Sequence, residues 1–172
     1  ADNTLVIFVS DNGGFADAAN MGPFSGAKST TLEGGIRVPL IMRWPGHIRS
    51  GTTSHQVCAT FDLTRSILNL AEAKVPAKRL DGIDIIDHLV KQKPSFKRTL
   101  YWRGKRGIRT WWAVRDGDYK YVRKTEGETE EWLYNLSKDI GETKDLSQSQ
   151  PKQLARLRKL LGNWEKEVQP VR

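Results

Sequence analysis

Two short stretches of the chain carry residue types that can do chemistry together. In the first, Ser10-Asp11-Asn12-Gly13-Gly14 follows the apolar run Leu5-Val6-Ile7-Phe8-Val9. Asp11 offers carboxylate oxygens and Asn12 an amide carbonyl, and hard oxygen donors suit calcium or magnesium. In the second, Lys28 opens a Gly/Ser/Thr-rich loop that reads Lys28-Ser29-Thr30-Thr31-Leu32-Glu33-Gly34-Gly35-Ile36-Arg37-Val38-Pro39. A lysine ammonium is a point charge for an oxyanion, so the two stretches read together as part of an anion-handling site. Each alone has a plainer reading: Asp-Asn-Gly-Gly as a turn, Lys28 as a solvated surface lysine.

The elements that must position these residues follow from pattern. Five consecutive apolar residues, Leu5 to Val9, predict a strand covered on both faces, as in the parallel sheet of an α/β domain. Such sheets bind ligands at the carboxyl ends of their strands, where Asp11 and Asn12 fall, and Gly13 and Gly14 free the backbone to turn away. Glu33-Gly34-Gly35 turns the chain into a second strand, Val38 to Trp44, closed by Pro45-Gly46. A helix follows with Asp62 as its N-cap and an apolar face of Leu63, Ile67, Leu68 and Leu70/Ala71. Capping accounts for Asp62 better than catalysis does. After Asp81-Gly82 a short amphipathic piece runs through Leu89 and Val90, and Lys91 to Lys97, with Pro94, is the expected subdomain boundary.

Beyond it the pattern changes to short antiparallel strands at Thr99–Arg103, Thr110–Arg115, Tyr119–Arg123 and Trp132–Leu136. Arg115-Asp116-Gly117-Asp118-Tyr119 contains an Asp-Gly hairpin signal, and Glu126 to Glu131 reads as a solvated acidic loop. A final helix starts near Ser149 to Pro151, with Leu154, Leu157, Leu161 and Trp164 as the stripe that covers one face of the small sheet.

Composition bounds the function. The 172 residues are 38% hydrophobic, with a mean hydropathy of −0.56, and no apolar run is long enough to cross a bilayer. Cys58 is the single cysteine, so no internal disulfide forms. His47, His55 and His88 are too far apart in sequence to suggest a zinc site. Lys91 to Lys124 holds twelve Lys and Arg against Asp116 and Asp118, a net +10 in a chain of net +8. Tyr101, Trp102, Trp111, Trp112, Tyr119 and Tyr121 interleave with them. Such a composition suits a polyanion, but Trp111 and Trp112 fall on opposite faces of one strand, as packing demands, and the packing reading is preferred. The absence of a starting methionine and of a signal segment reads as a chain cut from something longer.

The order of these pieces resembles the C-terminal part of the formylglycine-dependent sulfatases, the arylsulfatase family within the alkaline-phosphatase superfamily. Four stretches carry the resemblance: Val9 to Gly14; Lys28 to Pro39; Arg43-Trp44-Pro45-Gly46; and Asp81-Gly82 with Ala113-Val114-Arg115-Asp116-Gly117-Asp118-Tyr119-Lys120. The resemblance implies an α/β fold. Residues 1–94 would be the C-terminal part of the sulfatase α/β domain, and residues 95–172 a small α+β subdomain with an antiparallel sheet of about four strands and a C-terminal helix. It also implies that Asp11 and Asn12 are calcium ligands, that Lys28 contacts sulfate as a catalytic and substrate-binding residue, and that Glu33 and Arg37 are structural residues behind it. The implied reaction is sulfate-ester hydrolysis, in which a hydrated aldehyde attacks sulfur while cation and lysine neutralise the oxygens.

The chain departs from that family in one large respect. The nucleophile arises from a Cys/Ser-x-Pro-x-Arg motif, and Cys58 is followed by Ala59-Thr60-Phe61, so formylglycine is expected only in an N-terminal part outside this chain. Two oxygen ligands also leave a calcium shell of six to eight incomplete. The chain alone is therefore expected to be inactive. Its expected partner is a sulfated small molecule or glycan, with no nucleic acid and no membrane, and its exposed sheet edge is expected to drive self-association. The resemblance implies a periplasmic, secreted or lysosomal location. Two other readings remain open: a related phosphodiesterase or phosphonate hydrolase, and a non-catalytic basic-aromatic module that binds polyanions.

Overall fold

The computed structural model describes residues 3–74 and 80–168. Its contacts divide into two compact units, one of Ala1–Phe8 with Leu40–Lys97 and one of Val9–Pro39 with Arg98–Arg172. Both candidate stretches thus group with the C-terminal sheet rather than with the residues that flank them in the chain.

In the first unit, strands β1 (Val6–Val9) and β2 (Leu40–Arg43) form a two-stranded sheet. Val6 and Phe8 are 50% and 60% exposed and Ile41 is 62% exposed. The cover expected on both faces of the apolar run is absent among the described residues, because two strands with alternating burial leave one face without a packing layer.

Helix α2 (Thr60–Leu70) begins two residues earlier than its expected cap. Asp62 is not the N-cap but sits in the first turn, fully buried. Its Oδ2 accepts from the Ala59 amide at 2.7 Å and its Oδ1 from the Ile83 amide at 2.9 Å. The carboxylate therefore satisfies an orphan donor at the helix start and also anchors the approach to helix α3 (Ile85–Val90). Asp84 caps α3 by accepting from the Asp87 amide at 2.9 Å.

The second unit is built on a four-stranded antiparallel sheet, β3 (Thr99–Arg106), β4 (Arg109–Asp116), β5 (Tyr119–Glu126) and β6 (Glu128–Asn135), in sequential order. The strands run longer than their apolar cores suggest, because cross-strand ion pairs extend the ladder outward. Arg109 holds Glu126 with two hydrogen bonds, and Lys124 holds Glu130 at 2.8 Å. The acidic segment from Glu126 is consequently a tight hairpin rather than a loop, with Gly127 at φ +81° between paired Glu126 and Glu128.

Alternation places Tyr101, Trp112, Val114, Tyr121 and Leu133 on one face. There they pack against helix α4 (Pro151–Glu167) through Leu154, Leu157 and Leu161, and Tyr101 stacks on Trp164 at 5.1 Å between ring centroids. Pro151 opens α4 at a position where its missing N–H costs nothing. The other face carries Trp111, Ala113, Val122 and Tyr134, against which Leu136, Leu32 and Ile140 pack. Of the aromatics of the basic region, Trp111 and Tyr121 are buried, and Tyr101, Trp102, Trp112 and Tyr119 pack half-buried against the same two clusters. Arg123 lies over the Trp112 ring at 4.3 Å and Lys124 over Trp111 at 5.9 Å, as packed cations on aromatic faces do.

Candidate active site

The cover of that second sheet face is the Lys28 loop itself. Leu32 supplies an apolar contact, Thr31 Oγ1 donates to the Trp112 carbonyl at 3.4 Å, and Ser25 Oγ donates to the Gly141 carbonyl at 2.6 Å. Glu33 opens a single helical turn, α1 (Glu33–Ile36), where sequence suggests only a turn into a strand.

Backbone bonds then lace the two candidate stretches together. The Gly13 amide donates to the Gly35 carbonyl at 3.0 Å, the Lys28 amide to the Gly14 carbonyl at 2.9 Å, and the Gly34 amide to the Ser25 carbonyl at 2.7 Å. Glycine is required where these backbones meet. A Cβ on Gly13 would lie 1.8 Å from the Gly34 oxygen, and one on Gly34 would lie 2.3 Å from the Gly26 oxygen. Asp11 and Lys28 are exposed and Asn12 is half-buried. Ser10 Oγ donates to the Asn12 carbonyl at 3.0 Å, which bends the chain ahead of Gly13. Asp11 therefore stands two residues from a glycine bonded to α1, and Lys28 is bonded through its own amide to the next glycine.

The donors present fit a hard cation in kind but not in number. Among the described residues no group of three or more His, Cys, Asp or Glu is gathered as a metal cage, so Asp11 and Asn12 supply at most part of a calcium shell.

Glu33 and Arg37 do not stand alone behind the loop. Arg37 Nη1 meets Glu33 Oε2 at 3.3 Å and its guanidinium lies over the Phe24 ring at 5.0 Å. The main partner of Glu33 is a residue without an assigned role in the sequence reading: Lys120 of β5, fully buried, with Nζ 2.8 Å from Glu33 Oε1. Lys120 also lies 2.8 Å from Glu142 Oε1, off the hydrogen-bond direction, while Glu142 Oε2 accepts the Glu33 amide at 2.6 Å. Burial pushes Glu33 upward, but Lys120, Arg115 and Arg37 outweigh it and hold the carboxyl below its ordinary range. Glu142 goes the other way, since burial raises it more than Lys120 lowers it. Burial likewise lowers Arg115, against the pull of Glu33. Lys120 shares a strand face with Val122, and its cross-strand partner is Tyr134, both core residues.

Residues 26–167 match the family described as N-sulphoglucosamine sulphohydrolase, C-terminal. The chain belongs to this sulfatase family. It is similar to mouse N-acetylgalactosamine-6-sulfatase, with 41% identity over 124 residues that make up 69% of the chain and 23% of the relative. Human arylsulfatase A is 34% identical over 174 residues, 84% of the chain and 34% of the relative. Among solved structures, Ps i-CgsB in complex with k-i-k-neocarrahexaose superposes with a TM-score of 0.85 at 31% identity, covering 98% of this chain and 38% of that one. The chain therefore spans about a quarter to a third of the curated relatives it matches. The expected fold class stands: the mixed α/β architecture of the alkaline-phosphatase-like sulfatases, with a small antiparallel sheet and a C-terminal helix.

Proposed function

We propose that this sulfatase-family chain is the part of a sulfuric ester hydrolase that supplies Asp11 and Asn12 to a calcium ion and Lys28 to the substrate sulfate. The nucleophile would come from a formylglycine elsewhere in the protein. The observation that carries this reading is the lacing of Gly13 to Gly35 and of Gly14 to Lys28, which holds the carboxylate, amide and ammonium segments in one register. When bound, calcium would neutralise charge on the sulfate oxygens. The chain's own residues would orient that group: Lys28 as a point charge on an exposed loop, Glu33 and Arg37 as its structural support. A sulfated glycan is the proposed substrate class, supported by the similarity to an enzyme named for N-acetylgalactosamine-6-sulfate chemistry. A periplasmic, secreted or lysosomal setting is proposed with it.

The test is turnover of an aryl sulfate by the full-length protein and by its Asp11→Ala and Lys28→Ala variants. Removing one such electrostatic contact is expected to lower kcat by about 10²-fold to 10³-fold. Turnover unaffected by both substitutions would end the proposal. So would sulfate-ester hydrolysis by the isolated chain.

A further inference from the structure

The buried Lys120 has no evident packing purpose. Its strand face is apolar through Val122 and Ala113, so a methionine or leucine would fill the same space. Replacing a buried ion pair with apolar groups is often neutral or stabilising, so the pair's value lies in the geometry it imposes. Here the geometry is that of α1. Glu33 is gripped from three directions: Lys120 on Oε1, Arg37 on Oε2 and Glu142 on the amide. The two glycines that follow Glu33 bond to Ser25 on one side and Gly13 on the other.

Backbone strain marks the two ends of the same assembly. Ser29, directly after Lys28, has φ +80°, and Glu142 has φ +55°. Non-glycine residues stay in the left-handed region only where their surroundings over-determine them.

We propose that Lys120 is a positioning residue for the Lys28 loop. Its buried ammonium, set between Glu33 and Glu142, fixes α1, and α1 in turn holds the Asp11–Gly14 turn and the Lys28 segment in register. What Lys28 does rests on the sulfatase reading; what Lys120 does rests on the hydrogen-bond geometry alone. Without the ammonium, the loop keeps its Ser25 and Thr31 contacts to Gly141 and Trp112 but loses the central restraint on Glu33.

The test uses the full-length protein with Lys120→Met and with Lys120→Met/Glu33→Gln, the second relieving the unpaired carboxylate should the first fail to fold. Hydrogen exchange is read at the Gly13, Lys28 and Gly34 amides and at amides of β4 and β5. The expected result is exchange at the three loop amides accelerated at least about 10-fold beyond any acceleration of the strand amides, because local opening separates from global unfolding. In the same variants kcat/KM for an aryl sulfate should fall about 100-fold, the scale for a displaced catalytic group. A core variant on the other sheet face, Leu157→Ala, should lower the melting temperature with kcat and KM unchanged. Loop amides that exchange as in wild type would overturn the proposal. So would uniform acceleration of all amides, or failure of both variants to fold, each of which makes Lys120 a scaffold residue only. If wild type turns over no sulfate ester, the sulfatase reading falls while the exchange result still decides the role of Lys120.

Discussion

Lys120 Nζ lies 2.8 Å from Glu33 Oε1, with the lysine side chain fully buried and the glutamate 4% exposed. A pair so placed resists loss of either partner, because the remaining charge has no water to turn to. Lys120→Met is expected to destabilise the folded chain by about 3–5 kcal/mol. Adding Glu33→Gln should recover part of that loss. Urea midpoints of the two variants check this, and equal midpoints for wild type and Lys120→Met would refute it.

The two carboxylates on Lys120 predict opposite pH slopes. Glu33 is held below its ordinary value, so its contribution is present above the unfolded value and is lost as pH falls through the folded one. Glu142 is raised, so its contribution is complete below its unfolded value and is lost as pH rises through the folded one. Glu142→Gln should therefore remove a loss of stability that wild type shows on going from acid toward neutral pH, and Glu33→Gln should flatten the acid limb. Denaturation midpoints followed from pH 3 to 8, roughly the range that brackets carboxylate titration, separate the two. Parallel curves for both variants would contradict the assignment.

The glycine lacing predicts a steep cost for one added methyl group. Gly13→Ala would set its Cβ 1.8 Å from the Gly34 carbonyl oxygen, a backbone atom with no side chain to swing away. Overpacking of this kind costs about 1–3 kcal/mol. In the full-length protein the same change should lower sulfate-ester turnover more than Gly162→Ala does, since a Cβ on Gly162 meets nothing. Equal effects of the two substitutions on turnover would count against the lacing as a determinant of the site.

How much of this was legible in sequence depended on whether local pattern alone decided the outcome. The Leu154, Leu157, Leu161 and Trp164 stripe and the Asp116-Gly117 hairpin are local signals, and both appear as read. The glycines at 13, 34 and 35 read as turn residues, and the close backbone approach they allow depends on contacts between stretches distant in sequence. Lys120 was opaque because a lysine in a strand reads as solvent-facing until the Lys28 loop is known to cover that face. Asp62 misled for a related reason: a carboxylate at a helix start caps equally well from inside the first turn, and its second bond, to Ile83, spans 21 residues. Val6 and Phe8 read as buried because an apolar run records that a cover is needed, not which residues provide it.

That uncovered strand carries its own prediction. Val6, Phe8 and Ile41 expose large apolar side chains on a two-stranded sheet, and apolar strands with unpaired edges template further pairing. The isolated chain is expected to self-associate at high concentration, and Val6→Lys with Phe8→Lys should restore a monomer. Sedimentation velocity reads both, and a wild-type chain that stays monomeric throughout would disprove the association.

Calcium linkage separates what the isolated chain can do from what a complete site would do. Asp11 and Asn12 offer two of the six to eight oxygens a calcium ion takes, and among the described residues no further acidic cluster stands ready. Calcium should therefore leave the melting temperature of the isolated chain unchanged. In the full-length protein, by contrast, calcium at about 100 times its dissociation constant should stabilise by roughly 2.7 kcal/mol. Asp11→Ala should erase most of that gain, because it removes the charged ligand, whereas Asn12→Ala removes a neutral one and should erase less. Calcium stabilisation of the full-length protein that survives Asp11→Ala intact would place the ion elsewhere and take Asp11 out of its shell.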